Sequence, residues 1–161
     1  MRVLMPGSYD PVTCGHLAVI EEAARRYGEV TVAVFINPDK QGLFPYDTRV
    51  ALLTLATAHL ENVTVTFSNG MVADLARDGG YLRIVKGVRN AQDLAYEQKM
   101  ADFNLARGGV PTEFIEAGSD MKDISSTAVR EALRRNEPLT GLVPAVIEAA
   151  VRSAYRTIVQ K

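Results

Sequence analysis

Between Met5 and His16 the chain reads MPGSYDPVTCGH, with Pro, Gly, Ser, Asp, Thr and His crowded directly behind a short apolar run. Turn-forming residues explain a break in periodicity, but a turn needs no imidazole. Three more groups carry comparable chemistry: Asn37, Asp39 and Lys40 in NPDKQG, Lys86, Gly87 and Arg89 in KGVRN, and the stretch from Ser119 to Thr127 that ends in ISST. The cations Lys40, Lys86, Arg89 and Arg130, with the hydroxyls of Ser8, Ser125, Ser126 and Thr127, form a donor set suited to several phosphate oxygens. A polyphosphate is its natural guest. At the mouth of a helix, His16 can donate to a phosphate oxygen that gains charge as phosphorus becomes five-coordinate. Asp10, followed by Pro11, is read as fixing the turn, and Gly7 and Gly15 as letting backbone and ligand approach closely.

Each group also has a plainer reading. His16 could cap or pack, Lys40 could be a solvated loop lysine, and Ser125-Ser126-Thr127 could be an N-cap cluster, which is itself compatible with a phosphate site. Single sites therefore decide little, and the elements that would position them decide more. Short β-branched runs alternate with stretches of helical period, the pattern of a parallel sheet with crossover helices. Strands are expected at Arg2 to Met5, Val30 to Phe35, Val63 to Phe67, Leu82 to Val85 and Thr112 to Ile115.

Helices are expected at Leu17 to Tyr27, Asp47 to Leu60, Met71 to Asp78, Ala91 to Ala106, Thr127 to Arg135 and Pro144 to Ile158. In the first of these, Glu21/Arg25 and Glu22/Arg26 stand at i,i+4 spacing and Gly28 is placed to end the helix. The expected fold is α/β, a Rossmann-like, doubly wound five-stranded parallel sheet with flanking helices and a C-terminal helical segment, in one domain over residues 1–161. In such a sheet the ligand crevice lies beyond the carboxyl ends of the strands, where all four polar groups fall.

Composition narrows the function classes. The chain has 161 residues, 47% of them hydrophobic, enough for a continuous core without staples. Lys and Arg number 18 against 19 Asp and Glu, so no broad positive field invites nucleic acid or an anionic membrane. The one cysteine, Cys14, excludes an internal disulfide and fits a reducing, cytoplasmic setting. The apolar run Val3 to Met5 is too short for a signal peptide, and no stretch approaches a membrane-spanning length. Neither G-x-x-x-x-G-K nor G-x-G-x-x-G occurs, which disfavours a P-loop NTPase or a dinucleotide oxidoreductase. His59 has no second histidine or cysteine at metal-ligand spacing, and Cys14 has neither a partner base nor an acyl-transfer motif.

The segments PGSYDPVTCGH, NPDKQGLF, RVALL, KGVRNAQDLAYE and ISSTAVRE, in this order and spacing, resemble the bacterial phosphopantetheine adenylyltransferases, enzymes of coenzyme A biosynthesis. Thr13 to His16 alone, a T-x-G-H element, resembles only the wider nucleotidyltransferase superfamily, while the tyrosine–glutamate and ISST segments narrow it. The resemblance implies direct in-line attack of the phosphate of 4′-phosphopantetheine on the α-phosphorus of ATP, giving dephospho-coenzyme A and pyrophosphate. Magnesium, Mg2+, would assist from the substrate phosphates.

The resemblance further implies that His16, Lys40 and Arg89 are catalytic, and that Ser8, Lys40, Val72 and Lys86 meet phosphopantetheine. It assigns ATP to Ser8, Tyr9, His16, Gly87, Val88, Arg89, Glu97, Met121, Lys122, Asp123, Ile124, Ser125, Ser126 and Thr127. It also implies a homohexamer and makes coenzyme A a candidate feedback ligand. Two positions depart from the family's habit: Ser8 stands where threonine is usual, and Lys86 where arginine is usual. The first keeps the hydroxyl; the second replaces a planar bidentate group by a compact ammonium. Two other readings stay open: a related nucleotidyltransferase using another phosphorylated acceptor, and a catalytically silent nucleotide-binding sensor.

Overall fold

The computed structural model describes residues 1–160; Lys161, the last residue of the expected domain, lies outside them. Five strands, β1 (Arg2–Gly7), β2 (Glu29–Phe35), β3 (Val63–Ser68), β4 (Arg83–Val88) and β5 (Thr112–Glu116), form one sheet in the order β3-β2-β1-β4-β5. Every pairing is parallel. The chain winds outward from β1 through β2 to β3, then returns to β4 on the other side of β1 and moves out to β5. The reversal between β1 and β4 opens a crevice at their carboxyl ends.

The helices are α1 (Cys14–Arg26), α2 (Tyr46–Ala56), α3 (Val72–Asp78), α4 (Ala91–Gly108), α5 (Ser126–Arg134) and α6 (Glu148–Val159). They cover both faces of the sheet, so the middle strand is buried on both: Val3, Leu4 and Met5 have almost no exposure. One core gathers Val3, Met5, Ile20, Val32, Leu53, Val129 and Ile147; a smaller one on the opposite face gathers Leu4, Ala33, Ala76, Tyr81 and Ile84. This is the doubly wound α/β architecture that the alternation of runs predicts.

The differences are at element ends, and each has a local cause. α1 begins at Cys14 instead of Leu17 because Thr13 caps it: its side chain accepts from the His16 N–H. Tyr27 closes the helix one residue before Gly28. Of the two expected pairs only Glu22/Arg26 forms, at 3.4 Å; Arg25 also turns to Glu22, at 2.9 Å, while Glu21 faces His59 at 3.0 Å.

α2 stops at Ala56, short of Leu60, as the Thr57 hydroxyl donates back to the Leu53 carbonyl at 2.9 Å. The segment expected as one helix from Pro144 is a 3₁₀ turn, Ala145–Ile147, followed by α6.

The consequential difference is in β4. The sequence reading ends this strand at Val85 and puts Lys86 and Gly87 in the loop beyond it, yet the strand runs to Val88, with Lys86 opposite Phe114 and Gly87 opposite Ile115. Gly87 is a packing residue within the strand. A Cβ there would lie 2.8 Å from Val19 Cγ2, so glycine is what lets α1 lie close against the strand.

Candidate active site

A cleft of about 360 Å³ opens at the β1/β4 reversal. Its walls come from the β1–α1 turn (Ser8, Tyr9, Thr13), α1 (Gly15, His16, Val19), β4 and its exit (Lys86, Gly87, Arg89), α4 (Asp93, Glu97) and the start of α5 (Ile124 to Thr127). Three of the four polar groups singled out in the sequence therefore converge on one rim. Asp93 was not among the expected residues; the signal for it was its i+4 position from Arg89.

His16 is the third residue of α1, half-buried, with its ring edge-on to Tyr9 at 5.0 Å between centroids. Its Nδ1 accepts from the Thr13 backbone N–H at 3.0 Å and stands 3.2 Å from Thr13 Oγ1. This closes a capping box in which histidine takes the place usual for Glu or Gln. Loss of hydration pushes the imidazole pKa down from 6.5 to about 4, and the charges of Lys86 and Arg89 push the same way. The ring is neutral at physiological pH. Tyr9 donates its phenol to the Met5 carbonyl at 3.2 Å, and burial raises its pKa, so it offers the cleft a ring and no free hydroxyl.

The cations of the rim are held by acids. Lys86 Nζ lies 3.5 Å from Glu97 Oε2 and 3.5 Å from the Pro6 carbonyl. Arg89 Nε donates to Asp93 Oδ2 at 3.1 Å, an oxygen that also accepts the Arg89 backbone N–H. Opposite them, Ser125 caps α5 by accepting from the Ala128 N–H at 3.0 Å, and Ser126 donates its hydroxyl to the Pro11 carbonyl at 2.8 Å. That cap takes the Ala128 N–H and leaves the Ser126 and Thr127 N–H groups at the head of α5 without an intrahelical acceptor.

Other expected residues lie elsewhere. Lys40 is exposed on the loop between β2 and α2 and does not line the cleft; its carbonyl accepts weakly from the Tyr46 hydroxyl, at 3.5 Å. Val72 opens α3 and packs on the smaller core, Val88 is buried, and Met121, Lys122 and Asp123 lie before the cleft-lining part of their loop.

Arg130 is turned away from the rim: it donates to the Asp10 carbonyl at 2.8 Å and to Thr127 Oγ1 at 3.1 Å. Asp10 does more than shape its own turn. Its carboxylate accepts from the Leu43 and Phe44 N–H groups, each at 2.9 Å, and faces buried Arg49 at 3.3 Å.

The arrangement offers donors and cations around a space open to solvent, and no activated nucleophile. Burial raises the pKa of the Cys14 thiol, the wrong direction for a reactive thiolate. The geometry suits holding and polarising phosphate groups.

Residues 4–132 match the cytidylyltransferase-like family. The chain is 38% identical over 160 residues to a protein of Thermobifida fusca (strain YX) named phosphopantetheine adenylyltransferase, covering 99% of this chain and 98% of that one. It is 40% identical over 156 residues, 96% of each chain, to a protein of the same name from Symbiobacterium thermophilum. The chain belongs to the cytidylyltransferase-like family and, within it, to the phosphopantetheine adenylyltransferases.

Proposed function

We propose that the protein transfers the adenylyl group of ATP to 4′-phosphopantetheine, giving dephospho-coenzyme A and pyrophosphate. The observation that carries this reading is likeness over nearly the full chain to two relatives bearing that activity's name. The chemistry needs no covalent enzyme intermediate. A phosphate oxygen of the acceptor bonds to the α-phosphorus as the bond from that phosphorus to the bridging oxygen of the β-phosphate breaks, and pyrophosphate leaves with the electron pair.

The protein's share is positioning and charge stabilisation. His16 donates to a non-bridging α-oxygen as its charge grows. Arg89 and the N–H groups opening α5 take the nucleotide phosphates, and Lys86 takes the acceptor phosphate. For Lys86 and Arg89 to do so, they exchange Glu97 and Asp93 for the ligands, a short movement of side chains already at the rim. Lys40 reaches the reacting phosphates only if its exposed loop swings toward the cleft.

Magnesium enters with the nucleotide as part of the substrate. The two carboxylates lining the cleft, Asp93 and Glu97, face Arg89 and Lys86, which leaves the triphosphate oxygens as the ion's main ligands. We place the protein in the cytoplasm as a homohexamer; large apolar side chains exposed along α4 support assembly.

The test is incubation with ATP, magnesium and 4′-phosphopantetheine, with detection of pyrophosphate and of the adenylylated product. Parallel arms use CTP, nicotinamide mononucleotide and glycerol phosphate. Turnover only in another arm identifies a different nucleotide or acceptor, and nucleotide binding without pyrophosphate in any arm identifies a silent sensor; either result overturns the proposal.

A further inference from the structure

The capping box at the head of α1 is unusual in its third member. A glutamate or glutamine there would satisfy the N-cap amide and do nothing else, whereas His16 spends one ring nitrogen on that amide and has a second to present elsewhere. A backbone N–H is a donor in every state of the protein, so Nδ1, at 3.0 Å from the Thr13 nitrogen, must be the unprotonated, accepting nitrogen. The Thr13 hydroxyl strengthens the assignment. Its oxygen accepts from the His16 N–H at 3.2 Å, and its hydrogen is free to turn toward Nδ1, also 3.2 Å away. With Nδ1 facing two donors, the ring proton of neutral His16 resides on Nε2, the nitrogen left for the cleft that His16 lines.

We propose that Thr13 is a positioning residue that fixes His16 in its Nε2–H tautomer, making the ring a permanent hydrogen-bond donor to the reacting phosphate and not a proton carrier. This rests on the adenylyl-transfer reading only for the identity of the acceptor atom. Protonating Nδ1 would set its new hydrogen against the Thr13 N–H, so the imidazolium is disfavoured by local geometry before any wider field acts.

The field adds to it. Lys86 and Arg89, from β4 and its exit, face the ring as cations and oppose a further positive charge. Asp93 and Glu97 of α4 line the same cleft but are engaged with those two cations. Tyr9 meets the ring edge-on, Asp10 lies in the same turn but turns its carboxylate to Arg49 and the Leu43 and Phe44 amides, and Cys14 on the same helix is a neutral thiol. The segment Ser125 to Thr127 presents uncharged hydroxyls.

The direct test is proton–nitrogen correlation NMR of the full chain with ¹⁵N-labelled histidine, with His59→Gln used to assign the two rings. His16 is expected to show a bare Nδ1 and a protonated Nε2, unchanged from pH 8 to pH 5. An Nδ1–H tautomer, an averaged pair, or a titration near the ordinary value of about 6.5 overturns the proposal.

Thr13→Val removes the hydroxyl and is expected to lower kcat by about three- to tenfold, the worth of one lost hydrogen bond, with KM for ATP held and activity restored in Thr13→Ser. A Thr13→Val protein with wild-type kcat removes the hydroxyl from the argument and overturns Thr13's role. If that variant does not fold, the wild-type spectrum still decides the tautomer. If no pyrophosphate forms with any acceptor, the functional reading falls while the spectrum continues to report on the tautomer.

Discussion

His16 joins sequence, stability and chemistry in one side chain. Folded, its ring takes up a proton only near pH 4, against 6.5 for an ordinary histidine, so between those values the unfolded chain binds more protons than the folded one. Stability contributed by the neutral ring is therefore present above about pH 6.5 and is lost as pH falls toward 4. Urea midpoints measured across that window should fall more steeply for the wild type than for His16→Gln, whose side chain does not titrate; parallel curves would mean that the folded ring titrates normally. Lys86 makes a second prediction at this scale. Its ammonium stands 3.5 Å from Glu97 as a single point charge, without the bidentate grip that an arginine would offer a phosphate. Lys86→Arg should leave kcat within about threefold and act mainly on the KM of the acceptor, because the charge of the contact is kept and only its geometry changes. A large rise in kcat would mean that the lysine limits the chemical step.

Elements are legible in the sequence where periodicity is strong and obscured where a single residue carries a hidden contact. All five strands and the six helical segments occur, since alternating apolar runs and helical stripes express burial directly. The sequence places Gly87 beyond its strand because the pattern cannot reveal that Val19 lies against it. The same blindness affected Asp10, whose partners Leu43, Phe44 and Arg49 lie more than thirty residues away. That carboxylate ties the β1–α1 turn to the loop leading into α2 and, through Arg130, to α5. Gly42 packs so tightly against Arg49 and Asp10 that a Cβ there would overlap both. The cleft residues were legible as a set because loops beyond parallel strands must share an edge, and Lys40 fell outside because loop reach is not written in residue type. Asp10→Asn tests the brace: Arg49, only 4% exposed, would lose its counter-charge, and unfolding free energy should drop by about 3 kcal/mol. The variant also turns one of the two oxygens that accept from Leu43 and Phe44 into a donor, so an unchanged denaturant midpoint would show that neither the ion pair nor the second amide contact holds the turn.

At the scale of the whole molecule, one exposed surface is rich in large apolar side chains. Helix α4 turns Ala101 and Asn104 inward and Asp93 and Glu97 to the cleft, yet Tyr96, Met100 and Phe103, at i, i+4 and i+7, are 65%, 43% and 46% exposed. Side chains of that size in one stripe are the composition expected where a helix is covered by a partner. The helix is otherwise firmly seated: Arg107 grips Asp74 of α3 through two hydrogen bonds of 2.8 and 3.1 Å, and Gly108 lies against the Ala73 carbonyl where a Cβ would clash. Its outward stripe is thus a rigid surface, which lowers the entropic cost of association. In the proposed homohexamer another copy of the chain covers the stripe, so placing a charge within it should separate the copies without unfolding them. Sedimentation of Phe103→Glu is expected to give a smaller species than the wild type, with an unchanged far-ultraviolet circular dichroism spectrum. Because α4 also presents Asp93 and Glu97 to the cleft, loss of the contact should loosen that wall and raise KM for the acceptor more than for ATP. A variant sedimenting like the wild type would place the assembly contact on another face.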